Sequence, residues 1–343
     1  MSIITRRLIP AAVAAGAMAL AMTGCVQGEG SASAASAEGG EWSTSTLSID
    51  WATYNPLSLV VKDQGLIEEA LGDSVDVEWL QSAGSNKANE MLRSGSIDVG
   101  STAGSAALFA RANGSPIQVI DIYSQPEWSA IVVGADSDIT DVAQLKGQSV
   151  AATKGTDPYF FLLQALEEAG LGVDDVEVQN VQHADGRALL DGGSVQAWSG
   201  LDPIMAAAEA ESGAELIYRN VDFNTYGFLN ATEDFIDNHP DLAQAVVDAY
   251  EGARAWALED PEETAALLAE VAGIDLEVAT TVIQERSNLD VDGVPGDDQL
   301  AVLEKIAPVL VESGDVQGGQ ESVDKALSSI INDTFATKAG ADE

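Results

Sequence analysis

Cysteine is almost missing from this sequence: Cys25 is the only one in 343 residues. No intrachain disulfide can form, and a CxxC redox pair, a zinc ribbon and an iron–sulfur cluster are excluded with it. Histidine is scarce too, with two residues. Cations are few: Lys and Arg number 15 against 56 Asp and Glu, a formal net charge of −41. Such a chain repels nucleic-acid phosphates at long range, so a nucleic-acid partner is excluded. No Gly-Lys pair occurs, hence no P-loop, and neither a G-x-S-x-G elbow nor a G-x-G-x-x-G after a strand is present. No apolar run reaches the ~20 residues that span a bilayer comfortably. What is present is 46% hydrophobic residues, enough to bury a core and to exclude disorder over most of the length. The length suits two lobes better than one compact unit.

The first 24 residues read as a secretory signal: Arg6 and Arg7, an apolar segment from Leu8 to Met22, then small residues. Met22-Thr23-Gly24-Cys25 resembles a bacterial lipobox, so lipidation is expected at Cys25. Val26–Glu41 is almost entirely Gly, Ser, Ala and Glu. Residues 25–45 are therefore expected to be a flexible tether between a lipid anchor in the membrane and a globular part.

From Thr46 the pattern alternates strand and helix: strand Leu47–Trp51, helix Leu59–Leu71, strand Val75–Leu80, helix Lys87–Arg93, strand Ser96–Gly100, helix Ser105–Asn113 and strand Ile117–Tyr123. This rhythm predicts an α/β protein with mostly parallel sheets covered by helices. Asp76-Val77-Glu78 opens a run that reaches Gly95-Ser96-Ile97, and Asp175-Val176-Glu177 opens another that reaches Gly193-Ser194-Val195. A strand–helix–Gly-Ser–strand unit thus recurs roughly one hundred residues later, which predicts two equivalent lobes. Residues 46–140 and 221–343 are expected to form lobe 1, and 141–220 lobe 2. Beyond Leu229 only helices are predicted, Leu242–Leu258, Glu262–Val271, Leu276–Arg286, Asp298–Glu312 and Ser322–Phe335, forming a tail packed on lobe 1.

Four loops stand where strands should lead into helices: Tyr54-Asn55-Pro56, Ser101–Ser105, Lys154–Tyr159 and Trp198–Pro203. Ordinary N-capping explains any one of them alone. Four at equivalent places in two lobes point to a shared cleft, where helix N-termini aim their N–H groups. Asp290-Val291-Asp292-Gly293 begins like a calcium loop, but Val294 breaks the pattern, and no metal site is expected. His239 precedes Pro240 at a helix start, a capping position. The pair available to an enzymatic reading is His183 with Asp185.

Gly95–Thr102, the Asp-Val-Ala-Gln-Leu-Lys-Gly run Asp141–Gly147, Lys154-Gly155-Thr156, and Gly193–Trp198 with Asp202-Pro203 carry a resemblance. The chain looks like the solute-binding lipoproteins of ABC importers in the aliphatic sulfonate, taurine and nitrate group, from about Leu47 to Phe335. The resemblance implies a bilobal type II periplasmic-binding-protein fold and no enzymatic activity. It implies capture of a small organic sulfonate-like solute, an aliphatic sulfonate or taurine-like zwitterion, for delivery to a membrane permease and its ATPase. Nitrate, a thiamine-precursor pyrimidine or an aromatic acid are alternative ligands, and a bilobal enzyme using His183 and Asp185 is the rival class. A monomer without cofactor is expected on the outer face of the cell membrane.

Within that frame, Ser101, Thr102 and Thr156 are expected to donate hydrogen bonds to the ligand's acidic group. Tyr54, Asn55, Ser105, Gly155, Asp157, Tyr159, Trp198 and Asp202 stand in the same loops, and Glu127, Trp128, Asn224 and Tyr226 on the two crossings between lobes. No arginine falls in these loops, whereas Glu127, Asp157 and Asp202 do, an arrangement that opposes a bare anion. The crossings are placed at Tyr123–Trp128 and Asp222–Gly227, as hinges.

Overall fold

The computed structural model describes residues 41–339. The expected signal segment, Cys25 and most of the tether lie outside the described residues. Among the described residues, ten strands form two five-stranded sheets. The first stretch of chain runs β1 (Thr46–Trp51), α1 (Pro56–Gln64), α2 (Leu66–Leu71), β2 (Asp76–Gln81), α3 (Ser85–Ser94), β3 (Val99–Ala103), α4 (Gly104–Ala112) and β4 (Ile117–Ser124). The middle stretch runs β5 (Ile131–Val133), β6 (Ser149–Ala152), α5 (Asp157–Glu168), β7 (Glu177–Asn180), α6 (His183–Asp191), β8 (Ala197–Ser199), α7 (Ile204–Ser212) and β9 (Glu215–Tyr218). β10 (Gly227–Thr232) returns, and six helices follow: α8 (Glu233–Asn238), α9 (Pro240–Glu259), α10 (Pro261–Ala272), α11 (Leu276–Thr281), α12 (Asp297–Glu312) and α13 (Gly319–Leu327), before a last one, α14 (Thr334–Ala339).

The sheet orders are β2-β1-β3-β10-β4 and β7-β6-β8-β5-β9. β10 runs antiparallel to both neighbours in the first sheet, and β5 does the same in the second. The other pairings of each sheet are parallel, β1 with β2 and β3, β6 with β7 and β8. The repeat is realised: β2-α3-β3 and β7-α6-β8 hold corresponding places beside β1 and β6. Its Gly-Ser turns match too. Gly95 and Gly193 both take positive φ (67° and 64°), and the Ser96 and Ser194 N–H groups close back on Met91 and Leu189 carbonyls. The expected lobe boundary at 140 falls after β5, which already pairs with β8 and β9 of the second sheet.

Two local differences matter for the site. The single helix expected over Leu59–Leu71 is two helices, because Asn55 caps an earlier start through Ser58 N–H and Gly65 (φ 63°) breaks the run. The third strand begins three residues later than its apolar pattern suggests. Asp98 carries the Ser48 N–H on its carboxylate, and β3 pairing with β1 starts only at Val99, opposite Ile49. Ser101 and Thr102 are consequently strand residues, set opposite Leu229 and Phe228 of β10, and not a loop.

The tail packs on both sheets, rather than on the first alone. α9 buries Leu242, Val246, Val247 and Tyr250 in the core around β1 and α1. α12 buries Leu303, Ile306 and Leu310 in the cluster that holds Phe160, Leu162 and Leu166 of α5. α11 with Val282 and Ile283 packs on Ala206 and Ala207 of α7. Each buried Leu, Ile or Val contributes about 1.5–3 kcal/mol. The helical tail therefore ties the two sheets together.

Candidate functional site

Strands β1, β3, β6 and β8 each lead within a few residues into a helix, α1, α4, α5 and α7. The chain crosses between the sheets twice, over residues 125–130 and 219–226. Where these parts meet sits Asp157, the first residue of α5. Its Oδ1 accepts from Ser105 Oγ on α4 (2.5 Å) and Thr225 Oγ1 (2.8 Å). Its Oδ2 accepts from Trp128 Nε1 (2.8 Å) and the Thr225 N–H (2.9 Å). One carboxylate thus joins a helix of each sheet to both crossings. All four residues are buried. Burial pushes the Asp157 carboxyl above its ordinary range, and the four donors pull the other way. Asp157 has no ion-pair partner among the described residues.

Behind this hub lies a second network confined to the first sheet and its helices. Asp50, at the end of β1, accepts the Ser101 N–H and Oγ–H (both 2.8 Å) and the Ser82 hydroxyl (2.6 Å). Tyr54 donates to the Ser101 carbonyl, and Asn55 Nδ2 donates to Ser101 Oγ. Thr102 Oγ1 donates to the Ala103 carbonyl while accepting from Asn230. Apart from that network, in the β6–α5 connection of the second sheet, Thr156 Oγ1 donates to the Thr153 carbonyl (2.6 Å). The hydroxyl protons of Ser101, Thr102 and Thr156 are therefore committed inside the protein, and the hydroxyl that reaches across is that of Ser105.

The three carboxylates have different settings. Glu127 forms a two-pronged ion pair with Arg219 (2.8 and 3.0 Å) and is half-buried. Asp202 is buried, accepts the Ala206 N–H at the start of α7, and faces Arg286 at 3.3 Å. Burial raises Asp202 to about 6 in spite of that arginine. Arg286 also holds Glu209 at 2.8 Å. The strand-end loops give no hint of this arginine, because it arrives from the tail, where the turn Val282–Arg286 after α11 is wound as a π-helix. π-turns often mark functional positions, and an arginine closing an apolar-faced helix in so acidic a chain is the signal the sequence carries. The space left among Tyr54, Pro126, Trp128, Asp202 and Arg286 is about 10 Å³, room for one water at most.

The aromatics divide. Trp128 stands edge-on to Tyr54 (6.2 Å) and tilted on Tyr123 (6.4 Å), beside the hub. Trp198 is a core residue of the second sheet, fully buried with Val132, Leu190 and Met205 and lying directly under Gly186 of α6. Asn224 binds the Ser129 N–H and the Asn220 carbonyl, joining the two crossings. Tyr226 is half-buried, and its carbonyl accepts the Gly104 N–H.

Gly155 and Tyr159 border a larger cavity, about 410 Å³, between α3–α4 of the first sheet and α5 of the second. Asn86, Asn89, Phe109 and Phe160 line it as well. Lys154, at its wall, pairs with Asp315 and lies over the Tyr159 ring. His183 is buried, whereas Asp185 is exposed and makes no bond to it. The acid–base pair required by an enzymatic reading is not assembled, because the two side chains leave α6 on different faces. Among the described residues no cluster of His, Cys, Asp and Glu could hold a metal ion, and no helix is long and apolar enough to cross a membrane.

Comparison with known proteins agrees with this geometry. Residues 72–264 match the family described as NMT1/THI5 like. A putative aliphatic sulfonates-binding protein of Escherichia coli K12 is 30% identical over 230 residues, covering 66% of this chain and 72% of that protein. The crystal structure of the periplasmic aliphatic sulphonate binding protein SsuA from E. coli superposes with a TM-score of 0.70 at 26% identity, over 82% of this chain and 91% of that one. The alkanesulfonate-binding protein SsuA from Xanthomonas axonopodis pv. citri, bound to MOPS, superposes equally well (TM-score 0.70) at 21% identity, over 86% and 98% of the two chains.

Proposed function

Since this chain belongs to the NMT1/THI5-like family, we propose that it is the extracytoplasmic solute-binding component of an ABC import system. It captures an aliphatic sulfonate between its two sheets and presents it to a membrane permease driven by its ATPase. The observation that carries this reading is the donor cluster of Ser105, Trp128 and Thr225, assembled from α4 and both crossings around one acidic group. These are neutral donors that stand together where the two sheets meet. A sulfonate stays ionised and accepts several hydrogen bonds, so neutral N–H and O–H groups suffice to hold it once water is excluded. Loss of water on closure makes each of those bonds count for more. No bond of the solute is broken.

Lipidation at Cys25 would hold the protein at the membrane beside its permease. Cys25→Ser should then move the protein from the membrane to the soluble fraction, and unchanged retention would refute the anchor. For the binding function, calorimetry with propane-1-sulfonate is expected to show saturable 1:1 binding, with ligand of unaltered mass recovered afterwards. Absence of both heat and thermal shift across linear alkanesulfonates would overturn the sulfonate reading, and a changed ligand mass would overturn the transport reading.

A further inference from the structure

Asp121 of β4 is fully buried, and neither of its carboxylate oxygens has a hydrogen-bond partner among the described residues. Arg254 of α9, the cation beside it, does not supply one, because all five of its N–H groups are committed elsewhere. Nη1 donates to the Tyr123 (3.3 Å) and Leu289 (2.9 Å) carbonyls, and Nη2 to the Ile122 carbonyl and Glu251 Oε1 (2.9 Å). Nε donates to both oxygens of Glu251. Asp121 Oδ2 stands 3.9 Å from Arg254 Nη2, too far for a hydrogen bond.

Asp121 meets a second carboxylate instead. A Cβ at Gly293, on the link between the Val282–Arg286 turn and α12, would run into both Glu251 Oε1 and Asp121 Oδ1, the latter at 2.7 Å. The two oxygens thus share the space that this glycine leaves open. Burial, and after it the Glu251 carboxylate, push the Asp121 carboxyl well above its ordinary range, against the pull of Arg254. The other titratable groups on the elements around the pair are Tyr250 of α9, whose hydroxyl burial pushes up, and Asp292 of the link, exposed and holding the Val294 N–H. From β10, paired alongside, Leu229 stands opposite Asp121 and brings no charge.

We propose that Asp121 and Glu251 hold a single proton between them, Asp121 donating to Glu251, and that this proton fastens the link 287–296 to β4 and to the first crossing. With the proton in place, one negative charge is shared by the pair and balanced by Arg254. Without it, two carboxylates face each other in a buried space, and Asp121 has no donor for either oxygen. Three backbone hydrogen bonds tie the link down beside the pair: Ile122 N–H to the Gly293 carbonyl (2.9 Å), Gln125 N–H to Asn288 (3.1 Å) and Glu127 N–H to Arg286 (2.8 Å). An acid raised by folding stabilises at low pH and loses that contribution as pH rises through its folded value, so the link is released on the alkaline side. The same crossing carries Trp128 to Asp157, so proton loss loosens the support of the hub and leaves its own hydrogen-bonding groups unchanged.

Two measurements on the full chain test this. Infrared absorption at pH 8, where Asp50 and Asp202 (both near 6) are ionised, should show a protonated-carboxyl band that Asp121→Asn removes. Amide hydrogen exchange, corrected for intrinsic base catalysis, should show protection of the Ile122, Gln125 and Glu127 N–H groups falling by up to about tenfold per pH unit as that band titrates away. In Asp121→Asn the amide nitrogen donates to Glu251 at every pH, so protection at those positions should stay level. No carboxyl band lost on substitution, or protection that falls equally in both proteins, would overturn the shared proton. Wild-type protection that stays level while the band titrates away would overturn the fastening of the link. An Asp121→Asn chain that fails to fold would also overturn the proposal, because an amide reproduces the donor that a protonated acid supplies.

Discussion

Asp50 offers a direct test of the network behind the site. Burial raises its carboxyl from an ordinary value of 3.8 to about 6, against hydrogen bonds from Ser82 and Ser101 that favour the charged form. An acid whose pKa is higher in the folded state binds more protons there than in the unfolded chain. Its contribution to stability is thus full below about 4 and is lost as pH rises through about 6. A rise of that size corresponds to about 3 kcal/mol, of which roughly 1 kcal/mol falls between pH 5 and 7. Asp202, also near 6, adds a contribution of the same sign. Asp50→Asn removes the Asp50 part without breaking the network. The amide oxygen keeps the Ser101 N–H and hydroxyl, and the amide nitrogen donates to Ser82 Oγ. Ser82, 2.9 Å from the Tyr54 hydroxyl, then donates to that oxygen while Tyr54 keeps its bond to the Ser101 carbonyl. Urea denaturation at pH 5, 6 and 7 is the assay. The variant should be at least as stable as wild type at pH 7, and its stability should fall less between pH 5 and 7. A variant less stable than wild type by more than about 1 kcal/mol at pH 7, with the wild-type pH slope intact, would refute a charge held against burial at Asp50.

Two further outcomes are expected. Binding of propane-1-sulfonate should change tryptophan fluorescence through Trp128, whose indole N–H is part of the hub, and not through Trp198 in the core of the second sheet. The signal should persist in Trp198→Phe and vanish in Trp128→Phe, and the reverse pattern would move the hub away from the ligand. Arg286→Met leaves Asp202 buried without its cation and should cost about 3–5 kcal/mol in denaturant unfolding, most of it recovered in the double variant with Asp202→Asn. A cost below about 1 kcal/mol for the single variant would mean that Asp202 is already protonated and needs no partner.

The architecture was legible because it is written in local signals. Alternation marks the strands, and the Gly-Ser turns after α3 and α6 recur with the same closing hydrogen bonds. Position within an element was less so. The apolar pattern around Ile97 cannot tell that pairing with β1 begins at Val99, since the partner Ile49 lies fifty residues back. That offset alone turned Ser101 and Thr102 from expected ligand donors into strand residues with internal partners. Asp157 stood in an expected loop, but its donors come from Ser105, Trp128 and Thr225, and only the folded chain brings them together. Arg286 was hidden for the same reason. A helix at the far end of the chain read as packing, and packing it is, except for its last side chain.

The apparent conflict between three carboxylates and an anionic ligand narrows to one of them on the same ground. Glu127 is answered by Arg219 at the end of the second sheet, and Asp202 by Arg286 from the tail. Neither cation belongs to the strand-end loops, which is why those loops read as acidic and uncompensated. Asp157 is the one left with neutral donors only. Two like charges ~4 Å apart at an effective dielectric near 20 repel by about 4 kcal/mol. A sulfonate at those donors would meet that repulsion unless Asp157 took up a proton; burial pushes the carboxyl in that direction, and its four donors oppose it.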